Sequence, residues 1–175
     1  METTIQNSIC EYLTRLGIGF QSLEHEPIMT MEEGSEITQK LNATRCKSLF
    51  LCNKQQQYFM LLLPENKNLS AKSLAQQIGS SHLSFASKEA MERLLFTFPG
   101  AVSVLGLIND KDCKVQLLID EEIASATYIG CHPCVNTCTF KIKLNDILTL
   151  LLPAIGHEDY KIVGIVSNRV DEQLT

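Results

Sequence analysis

The chain has 175 residues, of which 45% are hydrophobic and 20% charged, with a formal net charge of −5. Such a length and apolar content suit one domain with a full core and exclude a largely disordered chain. The acidic balance argues against indiscriminate nucleic-acid binding, which needs a broad cationic surface, yet leaves room for a local patch that grips one nucleic-acid end.

Over 4–16 the apolar positions Ile5, Ile9, Tyr12, Leu13 and Leu16 fall at helical spacing, and Gly17 supplies the stop. A short strand is expected over 20–25, closed by Pro27. Thr30-Met31-Glu32-Glu33 matches a capping box, so a second helix should run from about Met31 to Leu41. The apolar runs 47–52 and 58–63 flank the polar segment 53–57 and read as two central strands of a hairpin. Ser70 caps a helix that Gly79 ends, and Ser87 caps another that Pro99-Gly100 breaks.

The segment 101–108, apolar and β-branched at intervals, reads as a strand, Asn109-Asp110 as a turn and 115–119 as a further strand. One helical turn over 121–125 leads to strands at 126–129 and 140–144. A last helix over 145–155 should end at Gly156 and be kinked or shortened by Pro153. A closing strand over 160–166 precedes a polar tail. Strands and helices mixed without strict βαβ alternation point to an α+β fold around a mixed sheet curled towards a barrel, with flanking helices.

Residues 1–4 carry no basic segment leading into an apolar block, and the runs 58–63 and 147–155 fall far short of the roughly 20 residues that span a bilayer. No secretory signal and no membrane segment are expected, and a cytoplasmic location is. The 7 cysteines are an odd number set mostly in apolar runs, as buried free thiols are.

The densest chemistry lies in Gly130-Cys131-His132-Pro133-Cys134-Val135-Asn136-Thr137-Cys138-Thr139. Three readings compete for it: a metal site, a turn that satisfies its own backbone, and a pocket wall. Zinc favours thiolate and imidazole ligands, but a structural site needs a second close ligand pair and the chain has no other Cys-x-x-Cys, so no metal is expected. Nothing cationic flanks Cys131 and Cys134 to favour a redox thiolate. No Gly-x-Ser-x-Gly elbow supports a serine triad, and His25, His82 and His157, beside turns, read as surface histidines.

Two further stretches carry candidates. In Phe98-Pro99-Gly100-Ala101-Val102-Ser103-Val104-Leu105-Gly106, small residues let a ligand approach the backbone and offer amides to an oxyanion, or simply form a strand entrance. Lys47 heads an apolar strand, where a lysine usually discourages edge pairing. Lys40, Arg45, Lys47, Lys67, Lys72 and Lys88 are candidate phosphate contacts.

Taken in order, Lys47-Ser48-Leu49-Phe50-Leu51, then Pro99-Gly100-Ala101-Val102-Ser103 with Leu107-Ile108-Asn109-Asp110, then His132-Pro133 with Asn136 and Thr139, the chain resembles the free-standing prolyl-tRNA editing proteins of the YbaK-like superfamily. Within that superfamily it is most similar to enzymes that deacylate alanyl-tRNA(Pro). The resemblance implies hydrolysis of the ester joining a wrong amino acid to the acceptor end of tRNA(Pro), without cofactor or metal, and makes prolyl-tRNA synthetase a candidate partner. It implies that Lys47 engages the terminal nucleotide. The amides of Gly100, Ala101, Val102, Ser103 and Val104 would hold the substrate carbonyl, and His132 would form the pocket wall. Asn136 and Thr139 would brace that wall, and the helix near Thr30, Met31 and Ser35 would close the aminoacyl pocket. Val104 stands where the family's glycine loop commonly ends in proline. A module of the same fold that binds tRNA or an amino acid without hydrolysis is the rival reading.

Overall fold

The computed structural model describes residues 2–28 and 31–165. Its strands are β1 (Phe20–Glu24), β2 (Thr44–Asn53), β3 (Tyr58–Pro64), β4 (Leu83–Phe85), β5 (Val115–Asp120), β6 (Tyr128–Cys131), β7 (Cys138–Lys143) and β8 (Lys161–Val163). Helices α1 (Glu2–Arg15), α2 (Met31–Leu41), α3 (Ala71–Ile78), α4 (Lys88–Leu95) and α5 (Glu121–Ala124) flank them. The fold is α+β, as expected. The sheet order β1-β7-β6-β2-β3-β5-β8 mixes parallel and antiparallel neighbours and remains open, with β1 and β8 at its two ends.

The near-continuous apolar run of β3 follows from burial on both faces. Met60 and Leu62 enter the larger core cluster, with Ile9 and Leu13 of α1 and Leu94 and Leu95 of α4. Phe59, Leu61 and Leu63 enter a second cluster, with Leu74 of α3. A strand alternates its side chains between faces, so a strand buried on both loses the polar alternation of a half-exposed one.

Strand β2 decides where the site forms. One edge pairs with β3 from Cys46 to Cys52. The other is shared: Thr44 and Arg45 pair with β6, while Leu51, Cys52 and Asn53 pair with β4. Between those partners, residues 46–49 have no strand on this second edge among the described residues, and the sheet opens into a cleft.

Three expectations need correction. The segment 101–108 is not a strand: after an irregular 101–103, residues Val104–Asn109 form a 3-10 helix. Ser103 caps it, its Oγ accepting from the Leu105 amide at 3.2 Å, and Asn109 Nδ2 donates to Leu95 O at 3.1 Å. Val104, Leu105 and Leu107 are fully buried, so this apolar run reflects burial on all sides and not strand periodicity. His157 is not a surface residue, being 6% exposed with its Nε2 3.2 Å from Asp110 O. Lys67 is buried, 2.9 Å from Asp120 and 2.8 Å from Glu122, and therefore serves no phosphate.

The helix of residues 144–155 accommodates Pro153 by widening. An α turn (Leu144–Asp146) gives way to a π segment (Ile147–Leu151), and Pro153 then enters the first turn of a final α piece (Leu152–Ile155), where its missing N–H costs least. The cap expected at Thr30 and the end of the closing strand lie outside the described residues. Among those described, no helix is long and apolar enough to cross a membrane.

Candidate active site

The cleft beside β2 encloses about 430 Å³ and draws its walls from β2 itself, α2, the residue after β3, β4, α4 with the loop after it, and β6 and β7 with their connection. Lys47, Gly100, Val102, His132 and Thr139 all line it.

Lys47 stands where β2 is paired on one edge only, half-buried, and its ammonium donates to the backbone carbonyl of Glu65 at 3.0 Å. Burial lowers its pKa from the ordinary lysine value, against the opposing pull of the Glu65 carboxylate. Glu65 also pairs with Arg45 at 2.6 Å. Arg45, Lys47 and Glu65 thus set charged groups along the cleft, of which the Lys47 ammonium suits a phosphate or a polarised ester oxygen.

The loop after α4 turns at Gly100, whose φ of +95° is open to glycine and strained for other residues. The Ala101 amide closes the turn by donating to Phe98 O at 3.0 Å, so it is already satisfied. Among the described residues the amides of Gly100 and Val102 have no such partner, and these two residues reach the cavity. Ala101, Ser103 and Val104 lie behind them at 0%, 1% and 0% exposure. The Thr97 hydroxyl fastens the loop, within reach of Ala101 O at 3.0 Å and Cys134 O at 3.4 Å.

His132 is oriented from behind. Its Nδ1 donates to Cys138 O at 2.9 Å, which leaves Nε2 as an acceptor. Burial first, and the charges of His25 and Arg45 after it, lower its pKa from the ordinary histidine value. Thr139 connects this ring to another: its Oγ1 is 3.5 Å from His132 Nδ1 and 2.9 Å from His25 Nε2. His25 Nδ1 donates to Glu26 O at 2.8 Å, so its Nε2 accepts the threonine proton. The sequence reading had left His25 without a role.

Asn136 is half-buried in the turn between β6 and β7, away from the cavity wall. On α2 the wall is made by Gly34 and Thr38, four residues apart and hence on one helix face. Ser35 is off that face, its carbonyl accepting from the Thr38 hydroxyl at 3.1 Å. Met31 opens α2. Thr30 lies outside the described residues.

Sequence reasoning missed Gly34, Thr38, Glu65, Phe85 and Gly130. Gly130 alone carried a local signal, since glycine inside a strand often marks a close approach. A β-carbon there would come within 2.8 Å of Thr38 Cγ2, and one on Gly34 would collide with the Arg45 guanidinium. Both glycines thus allow α2 to pack closely against β2 and β6.

Cys46, Cys131 and Cys134 are held as neutral thiols. Burial pushes the Cys46 and Cys134 thiols up to about 12, and that of Cys131 higher still. Among the described residues no group of three or more His, Cys, Asp or Glu is placed to hold a metal ion.

The chain is similar to several known proteins. The model of the aminoacyl-tRNA editing domain matches residues 25–150. Prolyl-tRNA editing protein ProX of Acetoanaerobium sticklandii is 28% identical over 148 residues, covering 84% of this chain and 90% of that protein. Prolyl-tRNA synthetase associated domain-containing protein 1 of Danio rerio is 28% identical over 149 residues, covering 84% and 81%. A solved structure described as a candidate trans-editing enzyme for prolyl tRNA synthetase shares the fold with a TM-score of 0.67 at 14% identity, covering 92% of this chain and 96% of that one. With the editing-domain model matched over residues 25–150, more than two thirds of its length, the chain belongs to the aminoacyl-tRNA editing domain family as a deacylase of mischarged tRNA.

Proposed function

We propose that this chain edits tRNA(Pro) in trans, with alanyl-tRNA(Pro) as its preferred substrate. The observation that carries the reading is that Lys47, the Gly100–Val102 turn and His132, far apart in sequence, border one cavity of about 430 Å³. The names of the bacterial and fish relatives supply the prolyl-tRNA connection, and the latter makes prolyl-tRNA synthetase a candidate partner. A single domain working in the cytoplasm, without cofactor or metal, completes the proposal.

An aminoacyl ester is already activated, so the protein need only orient water and stabilise developing charge. Lys47 engages the terminal nucleotide and holds the ester in place. Water adds to the ester carbonyl carbon while His132 Nε2 accepts a hydrogen bond from it, and the amides of Gly100 and Val102 receive the oxyanion. The bond from carbonyl carbon to ribose oxygen then breaks, the ribose oxygen takes a proton, and free amino acid and tRNA depart. Val104 in place of a loop proline is compatible with this role, because Ser103 capping and the Thr97 hydroxyl brace the loop instead.

Selectivity for alanine follows from exclusion. Gly34, Thr38 and Gly130 line one part of the cavity, and the amino-acid side chain is assigned to that part. A pocket that merely prefers a smaller group gains only about 1–3 kcal/mol per methylene, so steric rejection must supply the rest. The test is a hydrolysis panel of alanyl-, cysteinyl-, seryl- and prolyl-tRNA(Pro). Alanyl-tRNA(Pro) should be cleaved fastest, and equal rates for the alanyl and prolyl esters would overturn the assignment.

A further inference from the structure

Phe85 is 67% exposed, more than the other large apolar side chains picked out among the described residues, and it lines the cleft that holds Lys47 and Gly100. A single exposed phenylalanine is ordinary on a protein surface. This one differs in how its backbone is held and in what lies beside it.

Phe85 pairs with Leu51 across the β4–β2 ladder, the next amide donates from Ala86 to Phe50 O at 2.9 Å, and Ser87 then caps α4. The ring is therefore carried by a fixed strand, although its own side chain stays in water. Phe20 stacks on Phe140 and Phe50 on Tyr58, whereas Phe85 has no ring partner among the described residues. Its exposed ring can take a flat ligand beside a cleft that Lys47 also lines.

We propose that Phe85 is the stacking platform for the terminal nucleobase of the acceptor end. The inference rests on the tRNA-editing reading above and adds to it a binding residue for the base. If the aminoacyl group lies against Gly130 and the ribose at Lys47, as the proposed function has it, the base falls to the solvent-exposed part of the lining, to which Phe85 belongs. Stacking on an aromatic ring suits that position because it holds a base without reading its edge, and every acceptor end finishes alike.

The experiment uses the full chain and uncharged tRNA(Pro) whose terminal adenine is replaced by 2-aminopurine, a base whose fluorescence is quenched by stacking. Wild-type protein should quench it. Phe85→Ala should lose the quenching and bind about 5- to 150-fold more weakly, while Phe85→Trp retains both. Phe96→Ala, which removes a ring 55% exposed but off the cleft, should behave as wild type. In deacylation assays Phe85→Ala should raise KM and leave kcat nearly unchanged, with an unaltered thermal melt. Quenching by Phe85→Ala equal to wild type, or failure of Phe85→Trp to restore it, would overturn the proposal. Wild-type hydrolysis without quenching removes the platform and leaves editing standing. Quenching without hydrolysis does the reverse.

Discussion

His25 and His132 lie 6.2 Å apart, ring centre to ring centre, with the Thr139 hydroxyl between them. The first ring accepts the threonine proton, and the second donates to Cys138 O and faces the threonine oxygen from its other side. Thr139→Val keeps the shape and removes this link. It should cost about 1–3 kcal/mol of stability by stranding the part-buried His25 Nε2, and lower kcat with little change in KM, whereas Thr139→Ser should restore both. Chemical denaturation together with steady-state deacylation would check it, and a silent Thr139→Val would remove the buttress.

His132 should remain neutral below the pH at which an ordinary histidine protonates, because burial lowers its pKa from 6.5. Protonation would convert Nε2 from acceptor to donor, so the acid limb of kcat should fall below that value and vanish in His132→Asn. The linkage runs the same way. Between the depressed folded pKa and 6.5 the unfolded chain binds more protons than the folded one. Stability is therefore full above that window and is lost as pH falls through the folded pKa. Melting curves against pH should be flatter for His132→Asn than for wild type.

Lys47→Met should weaken uncharged tRNA(Pro) by about 10- to 150-fold, the worth of a charge-assisted hydrogen bond. Wild-type binding should decline as pH rises towards, and before it reaches, the ordinary lysine value of 10.5, since burial lowers the ammonium's pKa. Glu65 opposes that shift, so Glu65→Gln should move the decline to lower pH still. Titrations of binding against pH for the two proteins would decide, and an unmoved midpoint would reject the coupling.

Gly130→Ala should destabilise by about 1–3 kcal/mol through overpacking, because the added carbon meets Thr38 Cγ2 at 2.8 Å. Thr38→Ser removes that methyl and keeps the hydroxyl that bonds Gly34 O at 3.1 Å. The double variant should therefore recover most of the loss. A double-mutant cycle by urea denaturation would measure the coupling, and additive effects would exclude the contact.

Lys67→Met should cost about 3–5 kcal/mol, because it leaves the Asp120 carboxylate, fully buried, without its buried cation. Affinity for tRNA(Pro) should stay unchanged in the protein that still folds. A lower melting temperature with an unaltered binding isotherm is the expected pair of results.

Local chemistry was legible in the sequence wherever a few neighbouring residues settle it. Helix α2 occupies the span expected of it, and Ser70 and Ser87 cap α3 and α4 as their sequences suggest. The segment 101–108 was misread because a run buried on every side has the same composition as an interior strand. His157 and Lys67 were misread because their partners, Asp110 and Asp120, lie 47 and 53 residues away.

The sequence by itself determined most of the helices and strands, that the interior is apolar, and that a lysine, a glycine turn and a histidine-proline element recur in the order of an editing family. Tertiary structure alone decided that they share a wall. Strand β2 divides one edge between β6 and β4, and that choice of partners opens the gap at residues 46–49. It also brings Gly34, Thr38, Glu65, Phe85 and Gly130 to the same cleft. Strand pairing is fixed by the packing of distant apolar faces, whose free energy no short window of residues contains.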